Sequence, residues 1–456
     1  MATVMELEEQ LNSFDPLVRA EALCNLAAKA ESREIVLGPT KNEVNLHIHT
    51  FYSFNAYGWS PSRIAWEARK YGLAVAGIVD FDVLDGMEEF LAAGDILEQR
   101  TVASLETRVY VREYHDKVMS SPHEPGIAYF MGAGCFRLPE PGTRAAYTLQ
   151  EMRETARQRN IQVMKRVNDY LGVVQIDYDS EVLPLTPSGN ATERHMLAAY
   201  DAKAREVFKD DQSGLVSFWA KALDMSVDQV QSIICDTPRF HEMVRSKLMK
   251  FGGVGYVPPT PDSFPPIEKV VNMINDIGAL PTATWLDGTT PGEADMPAFL
   301  DMMASKGVVA MNIIPDRNWN IQDPDEKRIK VENLDKAVHA AREIGFPLCI
   351  GTELNKLGQP FVDNFAAAEL QPYVRDFMDG AYFFWGHTFL SRTAGAGFGS
   401  EWSKAHFGND RLKKNQFYTA VGRLAKPRHA RMEGLQRSIK AASPKEVIDI
   451  LSAQEC

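Results

Sequence analysis

The sequence predicts an α/β protein, a β/α barrel interrupted by a helical module and extended by helices at both ends. Three observations carry this. Short apolar runs alternate with amphipathic helices in two separate blocks. A charged, mostly helical stretch lies between the blocks, and the two ends of the chain lack strand-like runs. The resulting organisation is an N-terminal helical extension at 1–43, barrel segments at 44–140 and 261–395, a helical insertion at 141–260 and a helical tail at 396–456. With 456 residues, 45% hydrophobic, 24% charged and 10% aromatic, the chain has the composition of a folded protein with a sizeable core.

In order, Leu11, Phe14, Val18, Ala22 and Leu26 fall near a 3.6-residue period broken at Asp15-Pro16, which predicts helices packed on the main body. VNLHIHTF reads as the first strand. Ser60-Pro61 then supplies an N-cap and a favourable first helical residue, and the helix stops at Gly72. LAVAGIVDFD, TVASLETRVYV and GIAYFMGAG read as the next three strands. The stretches TLQEMRETARQRNIQVMKRVNDYLG and SGLVSFWAKALDMSVDQVQSIIC typify the helical insertion.

LPTATWLD, VVAMNIIP and PLCIGTEL resume the strands. The helix before the first carries Ile267, Val270, Val271 and Ile274 on one face and stops at Gly278; that before the last carries Leu334, Val338 and Ala341 and stops at Gly345. Such alternation implies parallel pairing, with strands ending near His49, Asp82, Glu106, Ala133, Trp285, Ile314 and Glu353. SRTAGAGFGS reads as a flexible loop without a phosphate-binding glycine pattern, and the polar, basic tail as surface helices.

Charge narrows the function classes. Sixty-one acidic residues against 49 basic ones give a net charge of −12, which argues against general affinity for nucleic acid or anionic membrane. There is no 18-residue apolar run, and the N-terminus is acidic where a secretory signal starts basic, so a cytoplasmic protein is expected. The five cysteines, Cys24, Cys135, Cys235, Cys349 and Cys456, are scattered without a CxxC pair. Any metal is therefore expected on His, Asp and Glu.

The sharpest chemical signal is His47-Ile48-His49 at the end of the first strand. Residues i and i+2 share a strand face, so both imidazoles can converge on one ion. In β/α barrels that end of the strands builds the active site. Glu106 and Glu353 stand at the ends of later strands. Asp82 and His387 each follow a strand-like run and are candidate general bases, although His387 in YFFWGHTF also reads as a satisfied core histidine. Arg108 reads either as a pocket residue or as the partner of a helix carboxylate.

These motifs resemble the PHP (polymerase and histidinol phosphatase) phosphoesterases, which fold as a distorted seven-stranded β/α barrel. The resemblance spans about residues 44–360 and rests on NLHIHTFYSFNAYGWSP, GLAVAGIVDFDVLDGMEE, SLETRV and GTELNK. GNATERHMLAAYDA and KFGGVGYVPPTPDSFPPIEKVVNMINDIGALPTATW resemble the branch of nucleoside 3′,5′-bisphosphate phosphatases and oligoribonucleases.

The resemblance implies His47, His49, Glu106 and Glu353 as ligands of one divalent metal, Mn²⁺, Fe²⁺ or Zn²⁺. The family's other two metal sites are eroded, with Phe81 and Phe130 at second-site positions and Phe54, Thr284 and Asn355 at third-site positions. A mononuclear site in a drier pocket is expected. Arg194 and His195 match a segment that contacts phosphate in the branch, or are an ordinary helix start capped by Thr192. Trp285 either lines the mouth beside Thr284 or packs its rim.

The implied activity is that of a metal-dependent, phosphoesterase-like hydrolase using a single metal-bound hydroxide on a small-molecule substrate, phosphorylated or not. The alternative is a catalytically degenerate PHP-fold protein binding a small anionic or sugar-like ligand.

Overall fold

The computed structural model describes residues 2–260 and 263–454. Helices α1 (Val4–Gln10) and α2 (Pro16–Glu31) precede strand β1 (Val44–Ile48). The first block continues with α3 (Pro61–Tyr71), β2 (Val75–Phe81), α4 (Met87–Leu97), β3 (Thr101–Tyr110) and β4 (Ile127–Cys135). Helices α5 (Arg144–Leu171), α6 (Glu193–Phe208), α7 (Gln212–Leu223), α8 (Val227–Ile233) and α9 (Thr237–Leu248) follow. The second block runs α10 (Ile267–Asp276), β5 (Leu280–Trp285), α11 (Met296–Ser305), β6 (Ala310–Ile313), α12 (Asp316–Trp319), α13 (Pro324–Ile344) and β7 (Leu348–Ile350). Helices α14 (Val374–Ala394), α15 (Glu401–Phe407), α16 (Arg411–Leu424), α17 (Glu433–Ala441) and α18 (Pro444–Ser452) complete the chain.

The seven strands pair in sequence order. A bridge from Ile48 to Glu353 joins the last strand's end to the first, making a distorted barrel. Pairing is parallel except around β4, which runs antiparallel to both β3 and β5. The all-parallel expectation fails there for a local reason. The link from β3 to β4 holds one short helical turn, Arg112–Tyr114, rather than the crossover helix that parallel pairing needs.

Local chemistry explains the elements that position the site. Ser60 Oγ accepts from Arg63 N, Pro61 occupies the first turn of α3, and Gly72 ends it at φ 92°. Every residue of β1 is buried, as in a strand covered on both faces. The barrel core joins Leu46, Ile48 and Val79 to Ile267, Val270 and Ile274 of α10. The α5–α9 region has a second core built from Val163, Val167, Tyr200, Trp219 and Phe240. Helix α5 spans both, since its Ala145 and Met152 belong to the barrel core.

The N-terminal helices are clamped to the barrel. Leu7, Leu11, Leu23 and Leu26 are buried there. Arg19, 1% exposed, pairs with Glu89 of α4, donates to Ser13 O and reaches Tyr52 Oη at 3.3 Å.

The C-terminal region departs furthest from expectation. YFFWGHTF lies within α14, a buried helix, rather than following a strand. A continuous apolar run carries no period that separates a buried strand from a buried helix. The tail is not purely superficial, because Tyr418, Val421, Ile439 and Leu451 reach the core. A Cβ added at Gly386 would lie 2.0 Å from Tyr418 O, so α14 and α16 pack backbone to backbone at a point only glycine allows. The glycine-rich turn after α14 is pinned: Tyr418 Oη donates to Ala396 O and Phe398 N donates to His387 Nδ1. Among the described residues, no helix is long and apolar enough to cross a membrane.

Candidate metal centre

His47 and His49 at the end of β1 converge with Glu106, which lies within β3 rather than at the expected strand end, each offering a ligand atom within 4.8 Å of the others. All three are buried. Each imidazole is held from behind. His47 Nδ1 lies 3.0 Å from Asn312 Oδ1, and His49 Nδ1 lies 3.1 Å from Ser53 Oγ. The Ser53 hydroxyl donates to Asp80 Oδ1 at 2.6 Å, so its oxygen is left to accept from His49. An amide oxygen likewise only accepts. Both Nδ1 atoms therefore carry the proton, and both Nε2 atoms present lone pairs.

Those Nε2 atoms are buried without a hydrogen-bond partner, 3.7 and 3.5 Å from Glu106 Oε2. Two orphaned lone pairs facing a buried carboxylate are costly unless a cation sits among them. Burial alone would raise Glu106; where no cation is bound, protons on the imidazoles serve in its place, and their positive charge pulls the carboxyl down to about 2. The donor set, two backed histidines and a carboxylate, fits a divalent transition metal.

Glu353, the fourth predicted ligand, is aligned with this cluster but turned aside. Its N–H donates to His47 O at 2.7 Å, and its carbonyl accepts from His49 N at 2.8 Å. Its backbone is left-handed, φ 65°, as is that of Leu354 at 51°. The carboxylate shares the single nitrogen Arg317 Nη2 between its two oxygens, at 2.9 and 3.1 Å, and accepts a further bond from Gln359 Nε2 at 3.1 Å. Three predicted ligands thus converge, and the fourth is parked on a guanidinium.

The other predicted residues separate into three groups. Asp82 sits half-buried at the end of β2 with φ 61°, accepting from Thr107 Oγ1 at 2.5 Å. Burial pushes its carboxyl up to about 6. Two expectations are corrected. His387 lies inside α14, its Nε2 bonded to Gly134 O and its Nδ1 accepting from Phe398 N. With both ring nitrogens engaged, it is a core histidine, and burial lowers it to about 4. Trp285 is fully buried, and its register neighbour Thr284 pairs with Asn312, the residue behind His47. Adjacent strand residues face opposite ways, so Trp285 packs on the outer face instead of lining the mouth.

The same parity corrects Phe130. Met131 opposes Glu106 and Phe130 opposes Thr107, so Phe130 faces away from the cluster. Tyr129, opposite Arg108, takes the inward position, its ring 6.4 Å from Phe81. Phe81 does enter the site, stacked on His49 with centroids 4.5 Å apart. Phe54 meets His195 edge-on at 5.2 Å and lies under Arg194.

Arg108, Arg194 and His195 belong to a charged lid formed where the α5–α9 region meets the barrel. Arg108 pairs with Glu124 of the β3–β4 link, not with a helix carboxylate, and Arg159 shares that partner. Arg245 and Lys250 hold Glu193, and Arg194 reaches Glu242. Cations outnumber carboxylates here. Burial and neighbouring guanidiniums lower Arg159 and Arg194, as expected of crowded like charges. His195 is buried, its Nδ1 accepting from Thr192 N in a capping box, and burial lowers it to about 4. Asn190 ties this lid to the metal loops by donating to Tyr52 O and Phe81 O. A separate groove of about 730 Å³, between α5 and Val257, Pro258, Thr260 and Ser263, touches Arg159 and none of the three converging ligands.

The sequence reading missed Asn312, Ser53, Asp80, Asn190 and Arg317. Asn312 alone had a clear signal, a polar residue inside the apolar run VVAMNIIP.

No protein-family model and no curated protein matches the chain. Solved structures similar to it include the following two. One is an amidohydrolase from Chromobacterium violaceum with bound sulfate and no metal, 15% identical over 74% of this chain and 96% of that one, TM-score 0.47. The other, described as a candidate metal-dependent phosphoesterase from Bifidobacterium adolescentis, is 13% identical over 74% and 98%, TM-score 0.44.

Proposed function

We propose that this protein is a metal-dependent hydrolase with a PHP-type barrel, acting on a small anionic substrate of the phosphoester class. One observation carries the reading: the paired, unpartnered Nε2 atoms of His47 and His49 face the Glu106 carboxylate. A divalent ion held by these three residues supplies a Lewis acid and lowers the pKa of bound water. Phe81, stacked on His49, takes space a second ion would need, which favours a mononuclear site.

The chain's own groups divide the remaining work. Asn312 and the Ser53–Asp80 pair fix the imidazoles in the metal-binding tautomer. Asp82, raised to about 6, is the proton acceptor. Arg108, Arg194, Arg245 and Lys250 receive the substrate's negative charge, and Phe81 and Tyr129 form the apolar wall between lid and metal.

The second reading, a PHP-fold protein that binds an anionic ligand without turnover, draws support from Glu353 being committed to Arg317. One experiment separates them. Metal-stripped protein is reconstituted with Mn²⁺, Fe²⁺ or Zn²⁺ and offered phosphomonoesters, phosphodiesters and carboxylic amides or esters. Metal-dependent turnover that His47→Ala abolishes supports the hydrolase. Metal binding with no turnover on any class supports the binding protein.

A further inference from the structure

Glu353 is an unusual residue to find parked. Its backbone is stitched to both metal-site histidines, through its N–H to His47 O and its carbonyl to His49 N. A left-handed conformation at two successive non-glycine residues, Glu353 and Leu354, costs free energy and persists only where the surroundings impose it. That cost fixes the backbone that bears the carboxylate next to the two histidines. Yet the carboxylate itself is spent on Arg317 and Gln359.

Arg317 is built differently from its partner. It sits on α12 directly after β6, in a turn anchored by Asn318 Nδ2 to Leu286 O and Ile314 O and by Trp319 Nε1 to Asp363. Its side chain is 46% exposed, whereas that of Glu353 is 15% exposed. Arg317 is therefore the more solvent-accessible of the two. A guanidinium fork binds a carboxylate and a phosphoryl group with the same bidentate geometry. An incoming oxyanion can replace Glu353 on Arg317 without moving the α12 turn.

We infer that Arg317 and Glu353 form an anion-exchange latch: a substrate oxyanion takes Arg317, and the released Glu353 carboxylate joins His47, His49 and Glu106 around the metal. The latch rests on the metal-centre reading above. It makes metal affinity depend on the anion. By linkage, the metal must strengthen anion binding by the same factor. Arg317 thereby supplies positive charge where the pocket lacks a second ion, and both residues are positioning groups for the metal rather than participants in bond cleavage.

The test is calorimetric titration of the metal-stripped full chain with Mn²⁺, alone, with inorganic phosphate and with acetate. In the wild type, phosphate should tighten Mn²⁺ binding by about 5- to 150-fold, the usual span of coupling between sites. Acetate tightening it equally would assign the latch to carboxylates as well. Arg317→Met should bind Mn²⁺ tightly without any anion and gain nothing from phosphate, while Arg317→Lys keeps most of the weak, anion-free affinity. Glu353→Gln should bind weakly and also ignore phosphate. Thermal melts confirm that each variant is folded.

The latch is overturned if Arg317→Met binds no more tightly than wild type. It is equally overturned if phosphate still tightens binding in Glu353→Gln, because the anion then bridges to the metal directly. A wild type that binds no Mn²⁺ under any condition would overturn the metal centre itself, an outcome distinct from failure of the latch.

Discussion

The end of β1 and the turn just after β7, joined by the Ile48–Glu353 bridge, each carry side chains able to bind a metal, yet they are finished in opposite ways. At β1, the outer nitrogen of each histidine is satisfied, by Asn312 or Ser53, and the inner one is left without a partner. At β7, the carboxylate of Glu353 is satisfied completely by Arg317 and Gln359. Proximity to a cluster does not make a ligand. What marks one is an unpartnered donor atom aimed inward and a hydrogen bond fixing its far side.

The contrast can be broken from either end, and the largest effect is expected at β1. His49→Ala should abolish stoichiometric metal binding in elemental analysis, since it removes one of only three converging donors. Asp82→Asn should come next, lowering turnover by about 100- to 10,000-fold as loss of a general base does. The same variant should raise stability at neutral pH. Its folded-state value is about 6, above that of the unfolded chain, so ionisation is penalised in the folded protein. Stability is accordingly lost as pH rises from about 4 to about 6, and above that window the amide should melt higher than the acid. Equal melting temperatures at pH 7.5 would contradict the burial argument.

Smaller effects should come from groups behind the ligands. Asn312→Leu leaves all three donors in place and should weaken metal binding by about 10- to 100-fold, read by competition with a chromogenic chelator. The mildest test sharpens the contrast between the two sides of the pocket. Phe81→His with Tyr129→His should admit a second ion. Phe81→His with Phe130→His should not, because Phe130 faces outward opposite Thr107. Metal-to-protein ratios distinguish the two double variants.

Much of this was legible in the residues. The strand ends at His49 and Asp82 follow from short apolar runs, whereas β3 runs on past Glu106 to Tyr110; the i, i+2 spacing of His47 and His49 places them on one face. What stayed hidden depended on partners far along the chain. The facing of β4 is set by its antiparallel register, and a one-residue error in parity exchanged Phe130 for Tyr129. His387 was misread because eight apolar-rich residues fit a buried helix as well as a strand. Arg317 gave no signal of its own, being a lone arginine in a turn whose meaning comes from Glu353, which the β1–β7 closure brings beside it.

The central claim is that His47, His49 and Glu106 form the working metal centre. Its most direct test is an anomalous-scattering map of crystals grown with Mn²⁺ or Zn²⁺. One ion within roughly 2.0–2.3 Å of both Nε2 atoms and of a Glu106 oxygen is the predicted result. An empty cluster at saturating metal, with His47 or His49 donating Nε2–H to Glu106 instead, would contradict it.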